Sequence, residues 1–427
     1  MQAKFLFVTI ILFASCNYNS DKQTEQQKLN ALAEKYVRLG LTIGQYDTDF
    51  VDAYYGPDSL RPKTKSATFP KDSLLASVDI LKAELGTLAE NVSNDTTRIR
   101  ANWIIQQLTA FGRRIRIFTG ELKPFDEESI ELFGVTAPVY PEAHFKTLIS
   151  SLDSLLPGKG GPVPDRFQRL ANKFIIPKDK LDTVFRTAIA EARKRTLEHY
   201  QLPAQENFSL EYVTGKSWSG YNWYKGNYNS LIQISEDLQI FIEKAIDLAC
   251  HEGYPGHHVY NMMLEKNLYR DRGWVEISLY PLFSPQSLIA EGSANYGIEL
   301  AFPGTEKNIY TRNVLLPLAG LDSTGLDLYF KALAIKGELN YSRNEVARGL
   351  LSGSMTEDEA LRWLMDYTLL NKESAIKSIS FIRNNRSYVI NYNYGLDLVK
   401  KYIGDRARWE KFGALLSNPI TPDSLSK

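Results

Sequence analysis

The stretch "DLACHEGYPGHHVYNMM", residues 247–263, decides how this chain is read. It holds three of the five histidines in 427 residues and overshoots H-E-x-x-H, a helical zinc-binding pattern, by two positions. That pattern works because residues i and i+4 share one helix face, so two imidazoles reach one ion and the Glu beside the first serves as general base. Here Pro255 stands at i+4, and the next histidines come at i+6 and i+7. On a straight helix i+6 lies about 9 Å along the axis and about 240° around it. Position i+7 returns to the face about 10.5 Å away, also too far for ligands ~2.0–2.1 Å from a shared ion. The sequence carries its own remedy. Pro255 has no N–H to give the His251 carbonyl, and Gly253 and Gly256 open backbone conformations closed to other residues. The two surplus residues are expected to bulge as a π-type insertion and return either His257 or His258 to the side of His251.

A hydrolytic zinc site holds three protein ligands and keeps one position open. "SPQSLIAEGSANYGIEL" (284–300) reads as a helix that offers Glu291 as the third ligand, with Asn295 at i+4 on the same face. Asp247, one turn before His251, is a candidate to hold that imidazole's other nitrogen.

Outward from this centre the chain is mostly helical. "LNALAEKYVRLGLTIG", "DSLLASVDILKAELGTLAENV" and "TTRIRANWIIQQLTAFGRRIRIFTG" repeat apolar residues at spacings of three and four. Thr356 followed by Glu359 spells a capping box, and "LPGKGGPVPDR" (156–166) reads as a loop. The texture changes only in "FSLEYVTGKSWSGYNWYKGNYNSLIQIS" (208–235), where Tyr, Trp, Val and Ile alternate between glycines. The predicted fold is therefore mainly α, a large helical body with one small antiparallel sheet next to the metal-site helix. A helical N-terminal half, 29–205, precedes a catalytic half, 206–427, the two forming one unit.

Phe5 to Ala14 is an apolar run too short to span a membrane, and it ends in "LFASC", a lipobox that makes Cys16 the expected lipidated residue. Residues 1–16 are then a lipoprotein signal peptide and 17–28 a polar, flexible tether to the bacterial envelope. Fifty Lys and Arg balance fifty Asp and Glu, which leaves no basic excess for a nucleic-acid partner.

"HEGYPGHH" together with "EGSANY" (291–296) resembles a bacterial domain-of-unknown-function family with the signature H-E-x-x-P-G-H. Many of its members are lipoproteins, and it looks like a relative of the gluzincin metallopeptidases. "DFVDAYYGP" (49–57), "LPGKGG" and "FIIPKDKL" (174–181) are similar to its members too. Ser293 stands where that family usually has Trp, and "RSYVINYNYG" (386–395) keeps Tyr392 and Gly395 but lacks the Pro-Gly-Gln-Ala run ahead of them. The resemblance implies one Zn²⁺ held by His251, His257 and Glu291, with Glu252 as base and a peptide as substrate.

For the oxyanion the candidate donor is Tyr392, with Tyr388 and Tyr394 as competitors. An extended peptide is expected to lie along the sheet edge, against Trp218, Tyr221, Trp223 and Tyr224. Arg383 and Arg386 are candidates for a substrate carboxylate. Two other readings stay open: a zinc hydrolase of a non-peptide amide or ester, and a binding lipoprotein on a peptidase scaffold.

Overall fold

The computed structural model describes residues 14–426, apart from Lys159, Ser217 and Leu238, with side chains placed from residue 24 to residue 425. The signal-peptide residues 1–13 and the Cys16 side chain lie outside the described set. Three long helices open the chain: α1 (Ala14–Gly44), α2 (Lys71–Asn91) and α3 (Asp95–Phe118). Residues 17–28, expected as a tether, are the first turns of α1. In α2 the buried residues Leu74, Val78, Leu81, Leu85 and Leu88 follow alternating steps of four and three, which lays one apolar stripe against α3. Asn94 caps α3 by accepting the Thr97 N–H at 3.1 Å. Further on, the capping box of Thr356 and Glu359 is formed in full. Both halves of the chain feed one continuous apolar core, from Leu29 to Leu425.

Two small sheets sit within this helical body. β1 (Val51–Tyr54) pairs antiparallel with β5 (Leu279–Pro281), a pairing that segments of four and three residues are too short to announce by period. Buried Arg100 helps to place β5, since it forks onto Glu276 at 2.5 and 2.7 Å just upstream of that strand.

The second sheet contains β2 (Asn207–Val213), β3 (Gly220–Gly226) and β4 (Asn229–Ser235) in the order β2-β4-β3. β3 and β4 form the expected antiparallel hairpin, but β2 runs parallel to β4. The all-antiparallel expectation is therefore corrected. The most buried strand, β4, takes the centre, where Ile232 and Ile234 are buried, and β2 and β3 flank it. The hairpin turns on Asn227 and Tyr228, both at positive φ, as a two-residue type I′ loop requires. Glu265 fixes this turn by accepting the Asn227 and Tyr228 N–H groups and the Tyr224 hydroxyl.

Four more helices frame the centre: α4 (Glu243–Leu248), α5 (His257–Leu264), α6 (Pro285–Ala301) and, near the C-terminus, Ile390–Ile403.

Candidate metal centre

Helix α4 widens into a π-type turn, Ala249–Gly253, which carries His251 and Glu252. The Tyr254 N–H reaches back to the Ala249 carbonyl at 3.0 Å and the Gly256 N–H to the Cys250 carbonyl at 2.9 Å, spans of five and six residues. Pro255, joined to Tyr254 by a cis peptide, has no hydrogen to offer between them. At Gly256 the chain folds so closely on itself that a methyl group there would stand 2.6 Å from the His251 carbonyl carbon. Only glycine fits that approach. The fold-back starts α5 at His257 and sets its Nε2 3.2 Å from His251 Nε2, with the two rings nearly perpendicular.

His258 turns the other way. Its Nδ1 lies 2.8 Å from Ser230 Oγ on β4, its ring packs on Tyr254, and burial depresses its pKa to about 4. Of the two histidines left open by spacing, the structure brings His257 to His251.

Glu291 comes from α6. Its Oε2 lies 3.4 Å from His251 Nε2 and 3.7 Å from His257 Nε2. Four tetrahedral ligands at ~2.0–2.1 Å from a zinc ion stand about 3.3 Å apart, so the donor triangle has the size that such an ion demands. Glu291 Oε2 is also buried and has no hydrogen-bond partner, whereas Oε1 accepts the Tyr388 hydroxyl at 3.0 Å. Among the described residues this trio is the group of His, Cys, Asp or Glu side chains that converges as a metal site would.

Asn295 decides how His251 is oriented. Its Nδ2 donates to the Tyr392 carbonyl at 3.0 Å, which leaves Oδ1 to face His251 Nδ1 at 3.1 Å. Nδ1 is therefore the nitrogen that keeps its hydrogen, which leaves Nε2 as the one that would give its lone pair to an ion. Asp247, the candidate offered by spacing, pairs with Lys307 instead. The π-type turn changes the helical register, so one turn upstream no longer lies beneath His251.

The charges in the cluster are interdependent. Burial, the strongest influence on His251, works to lower its pKa, but the Glu252 and Glu291 carboxylates and the Asn295 bond push it up to about 9. Burial likewise opposes the ionisation of Glu291, yet the two histidines hold its carboxyl well below the usual carboxylate range. The site is thus built to attract positive charge. Glu252 is the exception: burial raises its pKa against the pull of the histidines.

Helix α6 crosses the C-terminal helix Ile390–Ile403 at two glycines. A methyl on Gly292 would stand 2.5 Å from the Gly395 carbonyl carbon, and one on Gly395 2.8 Å from the Leu288 carbonyl oxygen. This approach carries Tyr388 and Tyr392 to the centre. The Tyr392 phenol interacts with Glu291, Glu252 and Tyr388, and burial keeps it protonated. Tyr394 has no such links: burial first, and then the Asp397 carboxylate, raise the pKa of its phenol.

No family model matches the chain, and no curated protein matches it. Among solved structures it is similar to a candidate lipoprotein from Colwellia psychrerythraea, with a TM-score of 0.53 and 13% identity over 83% of this chain and 68% of that one. A candidate lipoprotein of unknown function from Shewanella oneidensis aligns with a TM-score of 0.43 and 12% identity, over 81% of this chain and 73% of that one. The first of these shows a shared fold.

β3 forms one wall of the centre. Asn222 Nδ2 donates to the Glu252 carbonyl at 2.6 Å, and a methyl on Gly220 would stand 3.2 Å from Glu252 Oε1. Among the described residues no strand pairs with the outer side of β3. Trp218, Tyr221 and Trp223 follow one another along it as tilted ring pairs, at 5.5 and 4.6 Å between rings. Tyr224 faces away, to Glu265.

The Tyr221 hydroxyl donates to Asp52 of β1, a residue that spacing arguments missed. Burial pushes the Asp52 carboxyl up to about 6, and His257, Glu291 and Glu252 all act on it. Its one signal in the sequence was an acid set directly between Val51 and Ala53 in "DFVDAYYGP".

The expected carboxylate receptors are elsewhere. Arg386 is buried in a fork onto Glu128 at 2.8 and 2.9 Å, and Arg383 pairs with Glu357 on the surface. Arg386 is corrected from a binding residue to a structural one.

Proposed function

We propose that this chain is a zinc-dependent peptidase acting on short peptides, held at the bacterial envelope by a lipid on Cys16. One observation carries the reading: His251 Nε2, His257 Nε2 and the unpartnered Glu291 Oε2 face one another at 3.2–3.7 Å, with Glu252 in the adjoining position of the chain. Two imidazoles and a carboxylate of this kind suit zinc. The ion supplies Lewis acidity, which acidifies water and polarises a carbonyl.

Each neighbouring residue has a task in that chemistry. Glu252, kept from ionising too readily by burial, accepts the proton of the attacking water and passes it to the leaving amine. Tyr392 donates its hydroxyl to the developing oxyanion. Tyr388 aims Glu291, and Asn295 fixes the tautomer of His251. The free edge of β3 offers main-chain hydrogen bonds to an extended substrate, whose side chains meet Trp218 and Tyr221. The gluzincin likeness of the motif and the lipobox point the same way, and cleavage before Cys16 leaves α1 almost whole.

The test pairs metal analysis with a peptide digest. The wild type is expected to carry one zinc per chain and to cleave peptides. His257→Ala loses both, whereas Glu252→Gln keeps the metal and loses about 10²- to 10⁴-fold in rate. Protein free of metal after purification without chelators, or Glu252→Gln cleaving at the wild-type rate, would refute the reading.

A further inference from the structure

Strand β1 is irregular where it faces β5. Val51 stands opposite Pro281 and Ala53 opposite Tyr280, so β1 uses two residues where β5 uses one, and Asp52 is the surplus residue. A bulge of this kind turns a side chain out of the ladder. The Asp52 carboxylate is turned to β3, where one oxygen accepts the Tyr221 hydroxyl. Its other oxygen has no hydrogen bond among the described residues and is not sealed from solvent, and Asp52 forms no ion pair there. A half-buried carboxylate without a cation is costly to hold, and Glu252 and Glu291 repel it further.

Contacts along β3 join this carboxylate to the metal centre. At the start of the strand Gly220 lies on the proposed base, since a methyl there would stand 3.2 Å from Glu252 Oε1. Tyr221, which holds Asp52, is the next residue, and Asn222 after it donates to the Glu252 carbonyl at 2.6 Å. At the far end of the strand the main chains of β1 and β3 meet: a methyl on Gly226 would stand 3.8 Å from Tyr55 Cα, and the Tyr55 ring packs on Tyr224 at 5.5 Å. An extended chain laid along the outer edge of β3 therefore has open ground only at the Gly220 end. Beyond Tyr221 it runs into β1, and the group that it meets there is the Asp52 carboxylate.

We propose that Asp52 receives the free amino end of a short peptide, so that this site removes residues from the N-terminus of its substrate. The inference rests on the peptidase reading and narrows its substrate class. A blind end that carries a carboxylate without a counter-ion calls for a cation. The cationic end of a peptide is its α-ammonium, whose ordinary pKa is about 7.7–8.0. Consecutive Cα atoms are about 3.8 Å apart, so a chain held at Asp52 has its first or second peptide bond level with Glu252.

The experiment uses the full chain with zinc and three peptides of one sequence: a free amine, its N-acetyl form, and the N-acetyl form with Lys as first residue. Binding to Glu252→Gln is measured by calorimetry, and the products of the wild type by mass spectrometry. The free amine is expected to bind about 10- to 100-fold more tightly than the acetylated form, the range of a hydrogen bond to a charged group. The wild type is expected to release one or two residues from its amino end. Adding Asp52→Asn brings the binding ratio close to one. Tyr221→Phe removes the hydroxyl but leaves the carboxylate and keeps most of the ratio, while Asp58→Asn, at a surface acid, keeps all of it. Thermal unfolding of each variant shows that it has folded. Equal binding of the free and acetylated peptides, no binding of the free amine, or an unchanged ratio in Asp52→Asn overturns the inference. So does an equal loss in Tyr221→Phe, a preference that follows the Lys side chain, or cleavage far from the amino end. Selective binding of the free amine without cleavage by the wild type would leave the amine recognition standing and remove the peptidase reading.

Discussion

Gly292→Ala tests whether the crossing of α6 with the C-terminal helix holds the metal site in shape. The added methyl would lie 2.5 Å from the Gly395 carbonyl carbon, and carbon atoms in contact need about 3.5 Å, so the helices must part by roughly 1 Å. Glu291 is the adjacent residue on α6, while Tyr388 lies just before the start of the other helix. Their hydrogen bond of 3.0 Å would stretch to about 4 Å, which is no longer a hydrogen bond. Overpacking of this size costs about 1–3 kcal/mol of stability. Loss of the bond that aims a metal ligand costs about 10- to 100-fold in metal affinity. The assay is zinc competition against a chromophoric chelator, run beside a denaturant titration. Gly86→Ala on α2 is the control, because its methyl meets nothing within 4 Å and removes only backbone freedom, a gain of about 0.5–1 kcal/mol. Zinc affinity of Gly292→Ala within twofold of the wild type, with an unchanged unfolding midpoint, would refute the reasoning.

Arg386→Met strands the buried carboxylate of Glu128 and should cost about 3–5 kcal/mol in a urea titration, and adding Glu128→Leu should restore most of it. A stable Arg386→Met protein that binds peptide weakly would return Arg386 to the site. Asp52→Asn has a pH signature in the metal-free protein. The fold raises the carboxyl from 3.8 to about 6, so its charge costs stability that grows as pH climbs between those values and is constant above them. The variant should exceed the wild type by up to about 3 kcal/mol at pH 7.5, with the gap closing between pH 6 and pH 4. A gap that does not change from pH 4 to pH 8 would show that Asp52 is not buried as described.

The sequence by itself determined the helical class, because apolar spacings of three and four are a local property that α2 and α3 satisfy residue by residue. It also determined that residues 251–258 leave the straight helix, since proline and glycine act on their own backbone. Helix caps are local in the same way, which is why Thr356 and Glu359 could be read directly. Tertiary structure decided what distant partners decide. His257 faces the centre because Ser230 and Tyr254 claim His258. Asn295 replaces Asp247 because Lys307, 60 residues away, takes the acid. Arg386 is withdrawn by Glu128, 258 residues upstream. Asp52 enters only through the pairing of β1 with β5, and the parallel pairing of β2 with β4 is a long-range contact that no local period records. Partner choice between side chains far apart in the chain is a competition among burial, charge and shape, and no local spacing records its outcome.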